Sequence, residues 1–192
     1  MNWITKVTPP GLKTMLAKKD TPDDLWVKCP ISGELVYRTD LEENWHVTPA
    51  GAHLRISPRT RLRLLFDDER WEPLELPSVP HDPLKFKDDK PYPSRLKAAK
   101  AKIAARDKKE SEGGGAPIIQ EDCMVAAYGK VGGVPTVVLV QDFAFMGGSL
   151  GMAAGEGFVA AAHMALARKA AFVVCTASGG ARMQEGTLSL MK

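Results

Sequence analysis

Ala171-Phe172-Val173-Val174-Cys175-Thr176 runs straight into Ala177-Ser178-Gly179-Gly180-Ala181-Arg182-Met183-Gln184-Glu185. The first part is a short, uncharged, valine-rich run. Such a run predicts a strand buried on both faces, the mark of a parallel sheet. Ser178-Gly179-Gly180 predicts a turn at the strand's C-terminal end, with a second helix starting near Ala181. Just upstream, residues 153–168 are alanine-rich and free of proline, which predicts a helix. Phe158, Ala161, Ala162, Ala165 and Leu166 share its predicted apolar face. Helix, buried strand, glycine turn and helix together make an α/β unit.

Working outward, residues 123–128 and 136–143 are β-rich and predict a hairpin turning through residues 129–135. Residues 95–106 consist of strong helix formers, with Leu96, Ala99, Ile103 and Arg106 at helical spacing. Gly113-Gly114-Gly115 ends that helix in a flexible joint. Residues 71–93 carry several prolines and predict an extended connector. Ser57-Pro58 predicts a helix over residues 59–66, with Ser57 as N-cap and Pro58 in the first turn. Before it, strands are predicted at residues 34–37 and 53–56, separated by turn formers. The domain reading is a small β module at 1–57, a helical and proline-rich connector at 58–118, and an α/β domain from 119 to 192.

The chain has 192 residues, 44% hydrophobic and 26% charged, a globular composition that excludes wholesale disorder. A net charge of +3 is too mild to indicate nucleic-acid binding. No apolar run approaches the roughly 20 residues of a membrane span, and residues 1–19 lack the apolar core of a signal peptide. Cys29, Cys123 and Cys175 are odd in number and widely spaced, which favours a reducing cytoplasm over a disulfide framework.

Chemistry concentrates at the glycine turn after the buried strand. Ligands favour that edge of an α/β sheet, and amides at a helix start attract negative charge. Gly179 and Gly180 could aim two N–H groups at one developing oxyanion. A turn needed only for chain geometry explains the same glycines equally well. Phe143-Ala144-Phe145-Met146-Gly147-Gly148-Ser149 is a second glycine-rich stretch after a strand. It spells neither a P-loop nor a dinucleotide fingerprint, and by itself it reads as packing.

These two stretches resemble signature runs of the acetyl-CoA carboxylase carboxyltransferase beta-subunit family. Asn2-Trp3-Ile4, Leu25-Trp26-Val27-Lys28-Cys29, Leu84-Lys85-Phe86 and Ser189-Leu190-Met191 are similar too. The resemblance is collinear over nearly the whole chain. It implies a crotonase-like spiral core, of which only the N-terminal half is expected here, preceded by a zinc-ribbon-like β module. It implies transfer of a carboxyl group from carboxybiotin on the biotin carboxyl carrier protein to acetyl-CoA, giving malonyl-CoA. The implied partners are a carboxyltransferase alpha subunit, in an alpha2beta2 assembly, and biotin carboxylase. Neither a membrane nor nucleic acid is among them. Gly179 and Gly180 become the backbone oxyanion hole. Ser178, Ala181, Arg182, Phe145, Met146, Gly147 and Gly148 become substrate-binding residues. Arg182 stands open between pinning the loop, meeting CoA phosphates and forming a structural salt bridge.

The resemblance also implies two CxxC pairs holding zinc. Here they read Cys29-Pro30-Ile31-Ser32 and Thr48-Pro49-Ala50-Gly51, so one of the thiolate positions remains and no zinc is expected. Packing of Trp26, Val36, Tyr37, Leu41 and Trp45 is expected to hold the module instead. Cys123 and Cys175 are expected to be inert core residues. Two alternatives stay open. One is a related crotonase-like enzyme, such as a propionyl-CoA-type carboxyltransferase or an acyl-CoA hydrolase or isomerase. The other is a nucleic-acid or protein interaction module built on the basic residues 97–109.

Overall fold

The computed structural model describes residues 25–112 and 116–191. The Asn2-Trp3-Ile4 opening and the Gly113-Gly114-Gly115 joint lie outside the described residues. The chain divides between Ile56 and Ser57 into two compact units. The predicted connector at 58–118 is therefore no separate region. It belongs to the same unit as the α/β part, because its helices and one strand cover the sheet.

In the first unit, β1 (Trp26–Lys28) pairs antiparallel with β2 (Leu35–Tyr37). The cross-strand pair Trp26 and Tyr37 places its rings 5.3 Å apart, the kind of contact that sets hairpin register. A short helix α1 (Arg38–Glu43) follows. The strand predicted at 53–56 does not form, and only His53 makes a bridge, to Val47. Trp26 and Trp45, expected inside, are 56% and 65% exposed. A bulky ring has no room in so small a unit, whose buried residues include Cys29, Leu41, Thr48 and Ala52. There the Cys29 thiol meets the Thr48 hydroxyl at 3.2 Å. Ser32 N–H donates to the Cys29 sulfur and Ala52 N–H to the Thr48 hydroxyl. Hydrogen bonds from Ser32, and after them one from Thr48, hold the Cys29 thiol down at about 7. The ribbon-like character of this module remains an expectation. Among the described residues, no cluster of three or more His, Cys, Asp or Glu side chains could hold a metal.

The second unit is a three-layer α/β arrangement. Helix α2 (Pro58–Leu65) starts as the sequence predicts, with Thr60 N–H donating to the Ser57 hydroxyl at 3.1 Å. β3 (Trp71–Leu74) lies within the predicted connector, yet it pairs antiparallel with β4 (Met124–Val131). Pro73 is compatible with this because β3 sits at the sheet edge. Helix α3 (Tyr92–Ser111) is longer than predicted, and it buries Leu96 and Ile103 as its spacing implies. β4 returns into β5 (Val134–Gln141) through Gly132-Gly133, a tighter turn than the predicted 129–135. Helix α4 (Met152–Ala167) then crosses to β6 (Ala171–Cys175), which pairs parallel with β5.

Alternation along β4 and β5 sorts the core into two faces. Val125, Ala127, Val138 and Val140 pack on Leu62, Phe66 and Trp71. Ala126, Val137 and Leu139 pack with Leu96, Ile103, Ala154, Ala161 and Ala165. Two expectations need correction. β6 is not buried on both faces, since Ala171 and Val173 are exposed while Phe172 and Val174 pack inward. On α4, Ala161 and Ala165 are buried as predicted, but Phe158 and Leu166 are 45% and 75% exposed. Small residues line the inner face because the helix lies close on the sheet. No helix of the described residues is long and apolar enough to cross a membrane.

The hairpin turn is clamped by Asp67, whose carboxylate accepts from Gly132 N–H at 2.9 Å and Gly133 N–H at 2.8 Å. These amides, Gly133 first, hold the Asp67 carboxyl below its ordinary value. A depressed folded value contributes stability above the unfolded carboxylate pKa of about 3.9 and loses it as pH falls through the folded value. Asp67→Asn should therefore lower the urea midpoint at neutral pH, with the gap to wild type closing in acid. Identical neutral-pH midpoints would contradict the clamp.

Candidate active site

The last pair of the parallel β5–β6 ladder is Val140 with Cys175. Beyond it both strands enter glycine-rich loops at the same C-terminal sheet edge. The two stretches singled out in the sequence thus meet in space. Gly179 N–H donates to the Gly147 carbonyl at 2.9 Å. Leu150 N–H donates to the Gly180 carbonyl and Arg182 N–H to the Leu150 carbonyl, one parallel bridge carried past the strands. At Gly148 a side chain is excluded twice over: its φ is +63°, and an added Cβ would fall 2.0 Å from the Ala177 carbonyl oxygen.

Arg182 ties this edge to the interior. It is 1% exposed. Its guanidinium holds both Asp122 oxygens, at 2.5 and 2.7 Å. It also donates to the Ser149 carbonyl and hydroxyl and to the Tyr92 hydroxyl. Glu185 lies 3.4 Å away. Burial disfavours the cation, but the hydrogen bonds and charge of Asp122 outweigh it and raise the guanidinium above its ordinary value. Glu185 accepts from the Tyr92 hydroxyl at 2.6 Å and from Met152 N–H at the first turn of α4. Burial, and then that bond to Glu185, pushes the Tyr92 phenol up.

Several expectations change here. Arg182 faces inward and pins the loop through a salt bridge to Asp122, so two of its three readings meet in one contact. Phe145 is fully buried beneath Arg182, with its ring 5.4 Å from the guanidinium carbon. It is a core residue, not a lining one. No second α-helix starts at Ala181. Residues Met183–Ser189 form a 3-10 segment broken at Gly186, whose φ of +52° and ψ of -133° are not helical. Gly179 and Gly180 do not present two unoccupied amides. Gly179 N–H is held by Gly147, and Gly180 N–H donates to the Ser178 hydroxyl at 2.9 Å. Only the second partner is a rotatable side chain. Ser178, Gly179, Gly180 and Ala181 are exposed, and Met146 and Gly147 are half-buried.

Beside these loops runs an open groove of about 710 Å³. Met146, Ser149, Ala181 and Gln184 form one wall, and Lys90, Ser94 and Arg95 the other. Arg95 is paired with Asp88 at 2.7 Å. Cys123 and Cys175 are poor nucleophiles, since burial raises both and takes Cys123 up to about 12. Residues missed in the sequence include Gln141, Asp122 and Tyr92. Gln141 and Asp122 are polar residues at the ends of apolar strands, a signal that could have marked them.

Replacing Arg182 takes the cation from the partly buried Asp122 carboxylate and from the buried Glu185 beside it. Arg182→Met should destabilise the fold by about 3–5 kcal/mol, read from chemical denaturation. Arg182→Lys, which keeps charge but loses the fork, should fall between. A variant as stable as wild type would refute the tie.

Residues 100–192 match the model of the carboxyl transferase domain. The acetyl-coenzyme A carboxylase carboxyl transferase subunit beta of Hyphomonas neptunium is 82% identical over all 192 residues, which cover 59% of that protein. That of Hirschia baltica is 58% identical over the same span, 51% of its length. The chain thus spans between about half and three-fifths of these curated relatives. Among solved structures, transcarboxylase 12S with methylmalonyl-coenzyme A and methylmalonic acid bound is 26% identical. It has a TM-score of 0.49 over 71% of this chain and 21% of that one. Over all 192 residues the chain is thus similar to acetyl-coenzyme A carboxylase carboxyl transferase beta subunits, and over residues 100–192 to the carboxyl transferase domain.

Proposed function

We propose that this chain carries the beta-subunit share of a carboxyltransferase site that moves a carboxyl group from carboxybiotin to acetyl-CoA, yielding malonyl-CoA. The observation that carries the reading is the Gly180 amide. It sits at the sheet edge, exposed and beside the groove, with its hydrogen bond made to a displaceable serine hydroxyl. Carboxybiotin supplies the carboxyl carbon as CO2, and its freed nitrogen takes the methyl proton of the thioester. What the protein must add is placement and a donor for the oxygen that gains charge as the enolate forms. Rotation of the Ser178 hydroxyl releases Gly180 N–H for that oxygen. Gly179, Ala177 and the Gly147-Gly148 loop hold the donor in place.

This division of labour requires no Ser/His/Asp or Cys/His grouping. The groove beside the loops suits an extended thioester, and Lys90 supplies positive charge at its rim for the phosphates of a CoA tail. In this reading the acyl end rests against Met146 and Ala181, which line the groove, near Ser178. A carboxyltransferase alpha subunit, the biotin carboxyl carrier protein and biotin carboxylase are the partners in this reading. The setting is cytoplasmic and no structural zinc is required. A propionyl-CoA-type substrate would meet the same donor, and competition between the two thioesters reads the preference.

The test is malonyl-CoA formation in the assembled enzyme. Gly180→Ala keeps the N–H but strains the backbone at φ +109°, so the amide should swing off line and kcat fall by about 100-fold. Unchanged turnover would remove Gly180 from the site. Lys90→Glu should raise the KM for acetyl-CoA and leave kcat alone, as expected for uniform binding. A KM equal to wild type would place the CoA tail elsewhere.

A further inference from the structure

The β5–β6 ladder ends one residue before Gln141, yet the two loops beyond it keep a fixed spacing. Gln141 is 5% exposed. Its side-chain N–H donates to the Gly148 carbonyl at 2.7 Å, and its side-chain oxygen accepts from Ala177 N–H at 3.1 Å. One side-chain amide therefore does what a peptide unit does within a sheet. It carries the ladder one step further while the main chains separate. Its two partners lie on the two glycine loops, one on each. Both are main-chain groups, and the Gly148 carbonyl bond is buried, where a missing partner would be costly.

We infer that Gln141 is a positioning residue that sets the distance between the Gly147-Gly148 and Ser178-Gly180 loops and so aims the Gly180 amide. The inference rests on the proposed carboxyl transfer, and it adds a residue that never touches substrate. The Gly179–Gly147 bond and the close approach at Gly148 leave little tolerance. Releasing Ala177 lets the Ser178-Gly179-Gly180 turn shift along the edge. The same residues would still bind a thioester, but the donor would miss the oxygen.

Gln141→Met keeps the volume and removes both bonds. Gln141→Glu keeps the acceptor for Ala177 and turns the Gly148 contact repulsive. In the assembled carboxyltransferase, Gln141→Met should lower kcat by about 100-fold, the cost of a misplacement near 1 Å, while the KM for acetyl-CoA stays within about twofold because the misaimed contact is made only in the transition state. Gln141→Glu should lose turnover as well. A merely structural role would instead lower the amount of folded enzyme and leave kcat per active site intact. Amide hydrogen exchange at Ala177 and Gly179 supplies a second reading that needs no turnover. Both amides should exchange faster in Gln141→Met, even if wild-type enzyme proved unable to transfer carboxyl groups, so failure of the strap and failure of the proposed reaction are distinguishable. Wild-type exchange at both amides, or wild-type kcat in Gln141→Met, overturns the inference.

Discussion

The guanidinium of Arg182, sealed inside the second unit, is the contact on which the candidate site depends. It joins Asp122 before β4, Tyr92 at the start of α3, Ser149 after the first glycine loop and Glu185 beyond the second. A buried ion pair adds little net stability over a well-packed apolar group. Its contribution here is geometric, because a rigid fork satisfies oxygens from separate segments only in one arrangement. Two carboxylates face a single cation, and the excess negative charge lies against the first turn of α4, where unpaired amides and the helix dipole offset it.

That arrangement has a consequence for anion recognition. The start of α4, a natural place for a substrate carboxylate or phosphate, is already taken by Glu185. In the proposed reading, negative charge arriving from solution is met by the exposed Gly180 amide, whose bond is to a serine hydroxyl, and by Lys90 in the groove lining. The sheet edge supplies the rest. Parallel strands end together, their loops diverge, and a cleft opens where the ladder stops. Gln141 and the Leu150–Ala181 bridge limit how far it opens.

Much of the α/β unit was legible in the sequence because its signals are local. Ser57-Pro58 specifies a helix start by its own hydroxyl and ring. Leu96 and Ile103 mark the inner stripe of α3, and the β4–β5 hairpin follows from two β-rich runs around glycines. β3 was not legible, because prolines within residues 71–93 weaken local strand signals and only the neighbouring β4 edge makes the pairing favourable. The outward turn of Phe158 and Leu166 was equally hidden, since a helix that is apolar all round carries no periodicity to choose its inner face.

For the candidate site, the sequence by itself determined the two glycine stretches, their place after strands and their resemblance to a carboxyltransferase family, since all of these are properties of adjacent residues. Only the tertiary structure decided what each residue does. Arg182 turned inward to Asp122, Phe145 sank beneath it, Gly179 closed onto Gly147, and Gln141 joined the loops. Each of those outcomes is set by a partner far along the chain. A donor's direction depends on which distant acceptor reaches it first, and no local spacing encodes that.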